Sequence, residues 1–138
     1  MLRSAPINPD WILEGNPVAR NRIIARSSDS LACTIIWDCT AGKFNWFYDI
    51  DETVHIIEGS VTVSDGVSGP KLLQPGSVAF FPAGTSALWH VETYVRKVAF
   101  CQRTLPAMME RSISLLRQLK SRMLGQATGG SLMDAEAA

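Results

Sequence analysis

Between Trp46 and Gly59 the chain reads WFYDIDETVHIIEG, and its apolar and polar positions alternate with a period of two. The even positions are Trp46, Tyr48, Ile50, Glu52, Val54 and Ile56; the odd ones are Phe47, Asp49, Asp51, Thr53, His55 and Ile57. Successive strand side chains point to opposite faces, so the pattern predicts a half-buried strand. One face is apolar and aromatic, with a single carboxylate, Glu52, set into it. Comparable runs follow each other from Arg22 to Arg103: RIIAR, LACTIIWDCT, FNWFY, TVHIIEG, SVTVSD, KLL, SVAFF, ALWHVET and YVRKVAFCQR. Branched and aromatic residues dominate them, as pleated half-buried surfaces favour. Gly42, Gly59, the DG at Asp65, the QPG at Gln74 and the PAG at Pro82 punctuate them. Many short strands with no helix between them predict an all-β sandwich or barrel.

Past Arg103 the period changes. Leu105, Met108, Met109, Ile113, Leu116, Leu119 and Met123 recur three or four apart, which predicts an amphipathic helix. Arg111, Arg117, Lys120 and Arg122 lie away from that stripe. Thr104 is a candidate N-cap, Pro106 is tolerated in the first turn, and Gly125 suits the position just past the end. The expected organisation is an irregular N-terminal arm over 1–21, a barrel over 22–103, a helix over 104–125 and a flexible tail over 126–138.

A chain of 138 residues is most simply one domain with a substantial core. Its formal net charge of zero argues against a charge-driven partner such as nucleic acid. No run reaches the length of a membrane-spanning helix. The first residues carry Pro6, Pro9 and Pro17 and no signal-type apolar core. Cys33, Cys39 and Cys101 are odd in number and lack C-x-x-C spacing, so neither a disulfide framework nor a zinc knuckle is indicated. A reducing cytoplasmic setting is the expectation.

The phrases DETVHIIEGSVTV and LQPGSVAFFPAGTSALWHV resemble the cupin family, small jelly-roll β-barrels, over about Leu31 to Arg103. Glu52 with Gly59, and Gly76 with Pro82 and Gly84, stand where the two cupin motifs want them. The four positions that usually ligate a metal in that family fall on Trp46, Tyr48, Glu52 and Ala87. Only Glu52 is a donor of the usual kind, and a transition metal wants several converging imidazoles or carboxylates. No metal or other cofactor is therefore expected. Strand parity sets the only two histidines, His55 and His90, on the faces opposite Glu52 and Ala87. Within cupins, Trp46, Tyr48, Glu52, Trp89, Arg96 and Lys97 are similar to the subfamily that contains ureidoglycine aminohydrolase and the ethanolamine-utilisation cupin.

That resemblance implies a barrel pocket for a small nitrogenous or carboxylate metabolite. A carboxylate facing such an interior must be protonated, paired with a cation, or hydrogen-bonded. The candidate catalytic residues are Glu52 as acid or base, Tyr48 as donor and Lys97 as countercharge. The candidate substrate-binding residues are Trp46, Trp89, Arg96 and Phe80. Arg96 and Lys97 are adjacent, so only one of them faces inward. Asp49 and Asp51 read as solvated corner residues. Three functional readings stand: a metal-independent enzyme, a non-catalytic binding or sensing cupin, and an interaction protein whose helix makes the contact. A metal-dependent aminohydrolase with unusual ligands is a further alternative. The expected partners are a small molecule and a second copy of the chain, with neither nucleic acid nor membrane.

Overall fold

Two long strands organise the barrel. The computed structural model describes residues 1–124, and in it β4 (Ala32–Phe47) and β9 (Ser86–Gln102) pair antiparallel along their length. Each was expected as two strands, with LACTIIWDCT separate from FNWFY and ALWHVET separate from YVRKVAFCQR. The ladder instead continues through the interruption, with a register shift between Thr40 and Gly42. A bulge of this kind bends a strand without ending it and lets it pass from one sheet to the other. Gly42 is needed at the bend, because a Cβ there would lie 2.7 Å from the Pro17 ring.

Around this pair the chain builds two layers. In one, β1 (Arg3–Ser4), β3 (Ala19–Arg26), β4, β9, β5 (Asp51–Gly59) and β8 (Val78–Phe81) follow in that order. In the other, β2 (Ile12–Gly15) pairs with the second half of β4, and β6 (Val61–Ser64) joins the first half of β9 to β7 (Lys71–Leu73). This is the expected all-β jelly roll. The segment 1–21 departs from its expected irregularity: β1, a 3-10 turn at Pro9–Trp11 and β2 occupy much of it. Trp11 and Ile12 pack against the core, and that burial recruits the arm. β1 and β2 lay too close to prolines for a strand pattern to show.

The interior is filled by Trp37, Cys39, Phe44, Ile56, Trp89 and Val95 at its centre, with Val54, Ala99 and Cys101 toward one end. The strand β5 keeps the predicted parity: Glu52, Val54 and Ile56 are buried, while His55 and Ile57 are exposed. Tyr48 is also buried, although residues 48–50 form a corner between strands. Asp51 does more there than meet solvent, since its Oδ1 accepts a hydrogen bond from the Ala83 N–H at 2.8 Å, tying the corner to the PAG turn.

The tightest backbone approach is at Gly59. Its φ of +68° is in the left-handed region, and a Cβ there would come within 2.0 Å of the Tyr94 carbonyl oxygen. Gly59→Ala is expected to cost on the order of 3 kcal/mol, from backbone strain plus forced displacement of β9. Urea denaturation checks this; a midpoint within error of the parent's would refute it.

From Leu105 the chain forms a second unit. Its helix, α1, spans Ala107–Leu124. It begins two residues later than the Thr104 cap would place it, with the Met109 N–H donating to the Pro106 carbonyl. The expectations for Gly125 and for the tail at 126–138 lie outside the described residues. No described helix is long and apolar enough to cross a membrane, which says nothing about strands.

Candidate functional site

Glu52 sits in the middle of a row that crosses one end of the barrel. Its strand β5 lies between β8 and β9, and Glu52 is opposite Phe81 on one side and Cys101 on the other. Cys101 is opposite Cys33 on β4. Lys97 enters the interior on the same face of β9 as Cys101, with the small Ala99 between them in the alternation. Ala99 leaves the space across which Lys97 reaches Glu52. The Lys97 Nζ donates to Glu52 Oε1 at 2.5 Å, and both residues are nearly sealed, at 5% and 6% exposure.

Aromatic rings surround the ammonium. Trp37 is opposite Lys97 on β4, and the Nζ lies 4.9 Å from the Trp37 ring centre and 4.6 Å from that of Trp89. A cation between two indole faces is stabilised by their quadrupoles, most strongly where water is excluded. Trp89 also donates through Nε1 to the Tyr48 hydroxyl at 3.0 Å. Tyr48 in turn stacks on Phe81, with ring centres 4.7 Å apart and planes within 6°. Burial pushes the Tyr48 hydroxyl well above its usual range, and the Glu52 charge adds to the effect. The hydroxyl therefore stays protonated, with one lone pair held by Trp89. Burial likewise pushes the Cys101 thiol up to about 12, with the Glu52 charge again adding, so it stays neutral beside the pair.

A cavity of about 330 Å³ opens onto this assembly. Trp37, Trp46, Tyr48, Glu52 and Lys97 line it, and Asn21 and Asp49 lie at its edge. The structure thus brings together four of the predicted residues: Glu52, Tyr48, Lys97 and Trp46. It does not bring the other three to the cavity. Arg96 lies on the outer face of β9, where its nearest carboxylate is Glu58 at 3.7 Å. Phe80 is 59% exposed, because the alternation on β8 turns Phe81 inward in its place. Trp89 is buried behind the cavity, where it holds Tyr48 and faces Lys97. Trp37 was missed, although its parity with Ile35 and Cys39 could have shown it facing inward. Asn21 and Cys101 carried no comparable signal. Asp49, read as a solvated corner residue, is exposed but also borders the cavity.

The usual cupin metal positions are recognisable in three dimensions. Trp46 and Ala87 are opposite each other across β4 and β9, and Tyr48 and Glu52 are nearby in the cavity wall. They do not fit a metal. Indole and methyl side chains offer no lone pair, Tyr48 is held protonated, and the Lys97 ammonium already occupies one oxygen of Glu52. Among the described residues no three His, Cys, Asp or Glu side chains converge.

Comparison with known proteins agrees with this architecture. Two structures described as EutQ proteins superpose on the chain, the first of them as a putative ethanolamine-utilisation protein. The one from Salmonella typhimurium has 20% identity and a TM-score of 0.56, with 64% of this chain and 72% of that one covered. The one from Clostridium difficile has 17% identity, a TM-score of 0.56, and 64% of each chain covered. A protein of unknown function from Pseudomonas syringae pv. tomato aligns at 23% identity and a TM-score of 0.67. That alignment covers 74% of this chain but only 44% of the longer one. No curated protein sequence matches. The EutQ-like cupin domain matches residues 27–99, more than half of the 138, a range that contains Trp37, Trp46, Tyr48, Glu52 and Lys97. The chain belongs to the EutQ-like cupin family.

Proposed function

We propose that this cupin binds a small polar metabolite, nitrogenous or carboxylate, in the cavity above Glu52, without a metal, and that Glu52 serves there as acid or base. The observation that carries the reading is the Glu52–Lys97 pair, sealed at the base of an aromatic cavity. Burying two charges costs several kcal/mol per ion before their attraction is counted, and an apolar pair would fill the same space without that cost. A retained buried pair with one carboxylate oxygen and a protonated phenol beside an opening therefore suits a polar ligand better than plain packing. Lys97 supplies the positive charge, Tyr48 a hydroxyl donor, and Trp37 and Trp46 flat walls.

Among the described residues Glu52 is engaged through Oε1 with Lys97, which leaves Oε2 to accept a proton or a hydrogen bond from the ligand. Oε2 faces the cavity side of the pair and is the atom at which a proton would be exchanged with the substrate. The aminohydrolase chemistry of the related subfamily is not carried over, because its histidine donors are absent here.

A thermal-shift panel of small amines, amides and carboxylates locates the ligand class. With a hit in hand, Glu52→Gln is expected to keep binding within about threefold while lowering turnover about a hundredfold or more. Unchanged turnover would remove the acid–base role. Elemental analysis giving about one tightly held transition metal per chain, lost in Glu52→Ala, would overturn the metal-independent reading.

A further inference from the structure

The inner row that holds Glu52 continues across the barrel end to two thiols. Register sets Arg26 of β3 opposite Cys33 of β4, Cys33 opposite Cys101 of β9, and Cys101 opposite Glu52 of β5. Directly opposed residues of antiparallel strands point to the same face, with Cα atoms about 4.5–5.5 Å apart. That spacing lies inside the range of about 4.4–6.8 Å that a disulfide spans. Cys33 packs on the small cluster of Val54, Ala99 and Cys101, and it is among the groups that push the Cys101 thiol up.

The two sulfurs differ in access. Cys101 is 6% exposed, and burial keeps its thiol neutral. Cys33 is only half-buried, and it opens onto a groove of about 480 Å³ that Arg26, Ser27 and Gln102 also line. Cys101 borders this groove and the cavity above Glu52 alike, the one residue among those described that lines both. The third thiol is out of reach. Cys39 is fully buried opposite Val95, and its thiol donates to the Thr40 carbonyl at 3.3 Å. Along the extended strand it stands roughly 20 Å from Cys33. Thiols that only fill space need neither a facing register nor an opening; Cys33 and Cys101 have both.

We propose that Cys33 and Cys101 are a modification site, closing into a reversible cross-strand disulfide by exchange with a small anionic disulfide that enters the groove beside Arg26. Cys33, the accessible thiol, attacks as the thiolate. A bond from its Sγ to one sulfur of the reagent replaces the reagent's own S–S bond. The other half of the reagent leaves as a thiol, with the proton that Cys33 gave up. Cys101 then gives up its proton and attacks Cys33 Sγ, and the second half leaves as a thiol. The two protein sulfurs lose two electrons between them, and one small disulfide becomes two thiols. The cross-link ties β4 to β9 at the wall that the groove and the Glu52 cavity share.

The test treats the fully reduced chain with oxidised glutathione at micromolar protein concentration and follows intact mass and thiol content after denaturation. The parent is expected to pass through a single glutathione adduct, then lose it, with two thiols consumed and Cys39 left free. Cys101→Ala is expected to stop at the adduct. Cys33→Ala is expected to slow adduct formation about tenfold or more, since the accessible thiol is gone. Cys39→Ala should close as the parent does. The closed form, cross-linked across a long loop, should melt about 5 °C or more above the reduced one, and a reductant should reverse the change. Circular dichroism checks that each variant folds; if Cys101→Ala does not, Cys33→Ala and peptide mapping of the oxidised parent carry the test. A parent that keeps three free thiols, ends as a stable adduct, or forms a disulfide through Cys39 or between two chains would overturn the proposal. A closed form that melts no higher than the reduced one would do the same.

Discussion

Lys97→Met is expected to lower the unfolding free energy by about 3–5 kcal/mol, the cost of leaving a buried carboxylate without its partner. Methionine keeps most of the stem volume, so the loss comes from charge rather than from a cavity. What remains is Glu52, only 6% exposed and opposite Phe81 and Cys101, with no other cation among the described residues at its Oε1. The Trp37 and Trp89 rings lose the ammonium they enclose, which adds to the effect. Stability of an ordinary domain is about 5–15 kcal/mol, so one substitution removes a large share of it. The double variant Glu52→Gln/Lys97→Met should recover most of the loss, since no unpaired charge is then buried. Chemical denaturation of the parent, both singles and the double gives the coupling directly. A single Lys97→Met within about 1 kcal/mol of the parent would mean that the carboxylate reaches water, and the site description would fail.

The second large effect is expected at Asp38, on the opposite face of the sheet. Burial on its own pushes this carboxyl up. Hydrogen bonds from Arg20 and Tyr94, with the charges of Arg20 and Arg96, outweigh burial and hold it below its usual range. A group whose folded-state value is depressed stabilises the fold at every pH above its unfolded value of about 3.9, and that contribution is lost as pH falls through the lower folded value. Asp38→Asn is therefore expected to cost about 2 kcal/mol at neutral pH, from the loss of charge-assisted hydrogen bonds. The gap between variant and parent should narrow progressively below about pH 4. Asp65, whose carboxylate accepts the Ser68 and Val67 N–H groups, is also held below its usual range and keeps part of the parent's acid slope in the variant. Urea midpoints at pH 7 and pH 3 decide the matter: a gap that is the same at both would show that Asp38 contributes by shape and not by charge.

The parts of the site legible in the sequence are those that rest on alternation within one strand. Glu52 turns inward because Val54 and Ile56 do, and His55 turns outward for the same reason. The adjacency of Arg96 and Lys97 required that only one face the interior. Which of the two it is depends on the phase of β9 against the core, which Val95 and Ala99, both buried, set for Lys97. Phe80 failed because two adjacent phenylalanines satisfy an apolar pattern equally well in either phase. Trp89 has the right phase but the wrong depth: it is 1% exposed and contacts Tyr48 and Phe81 without lining the cavity.

By itself, the sequence determined the all-β class and the inward carboxylate, because each depends on residue type and on a period of two along one stretch of chain; the jelly roll and the vacant histidine positions were implied by the resemblance of its motifs to cupins. The tertiary structure alone decided three things. It fused the paired runs into β4 and β9, closed Lys97 onto Glu52 between Trp37 and Trp89, and aligned Arg20, Asp38, Arg96 and Glu58 in one row. Each of these depends on register between strands distant in sequence. A shift of one residue reverses every facing side chain, and that choice is made by packing across the whole barrel rather than by any local pattern.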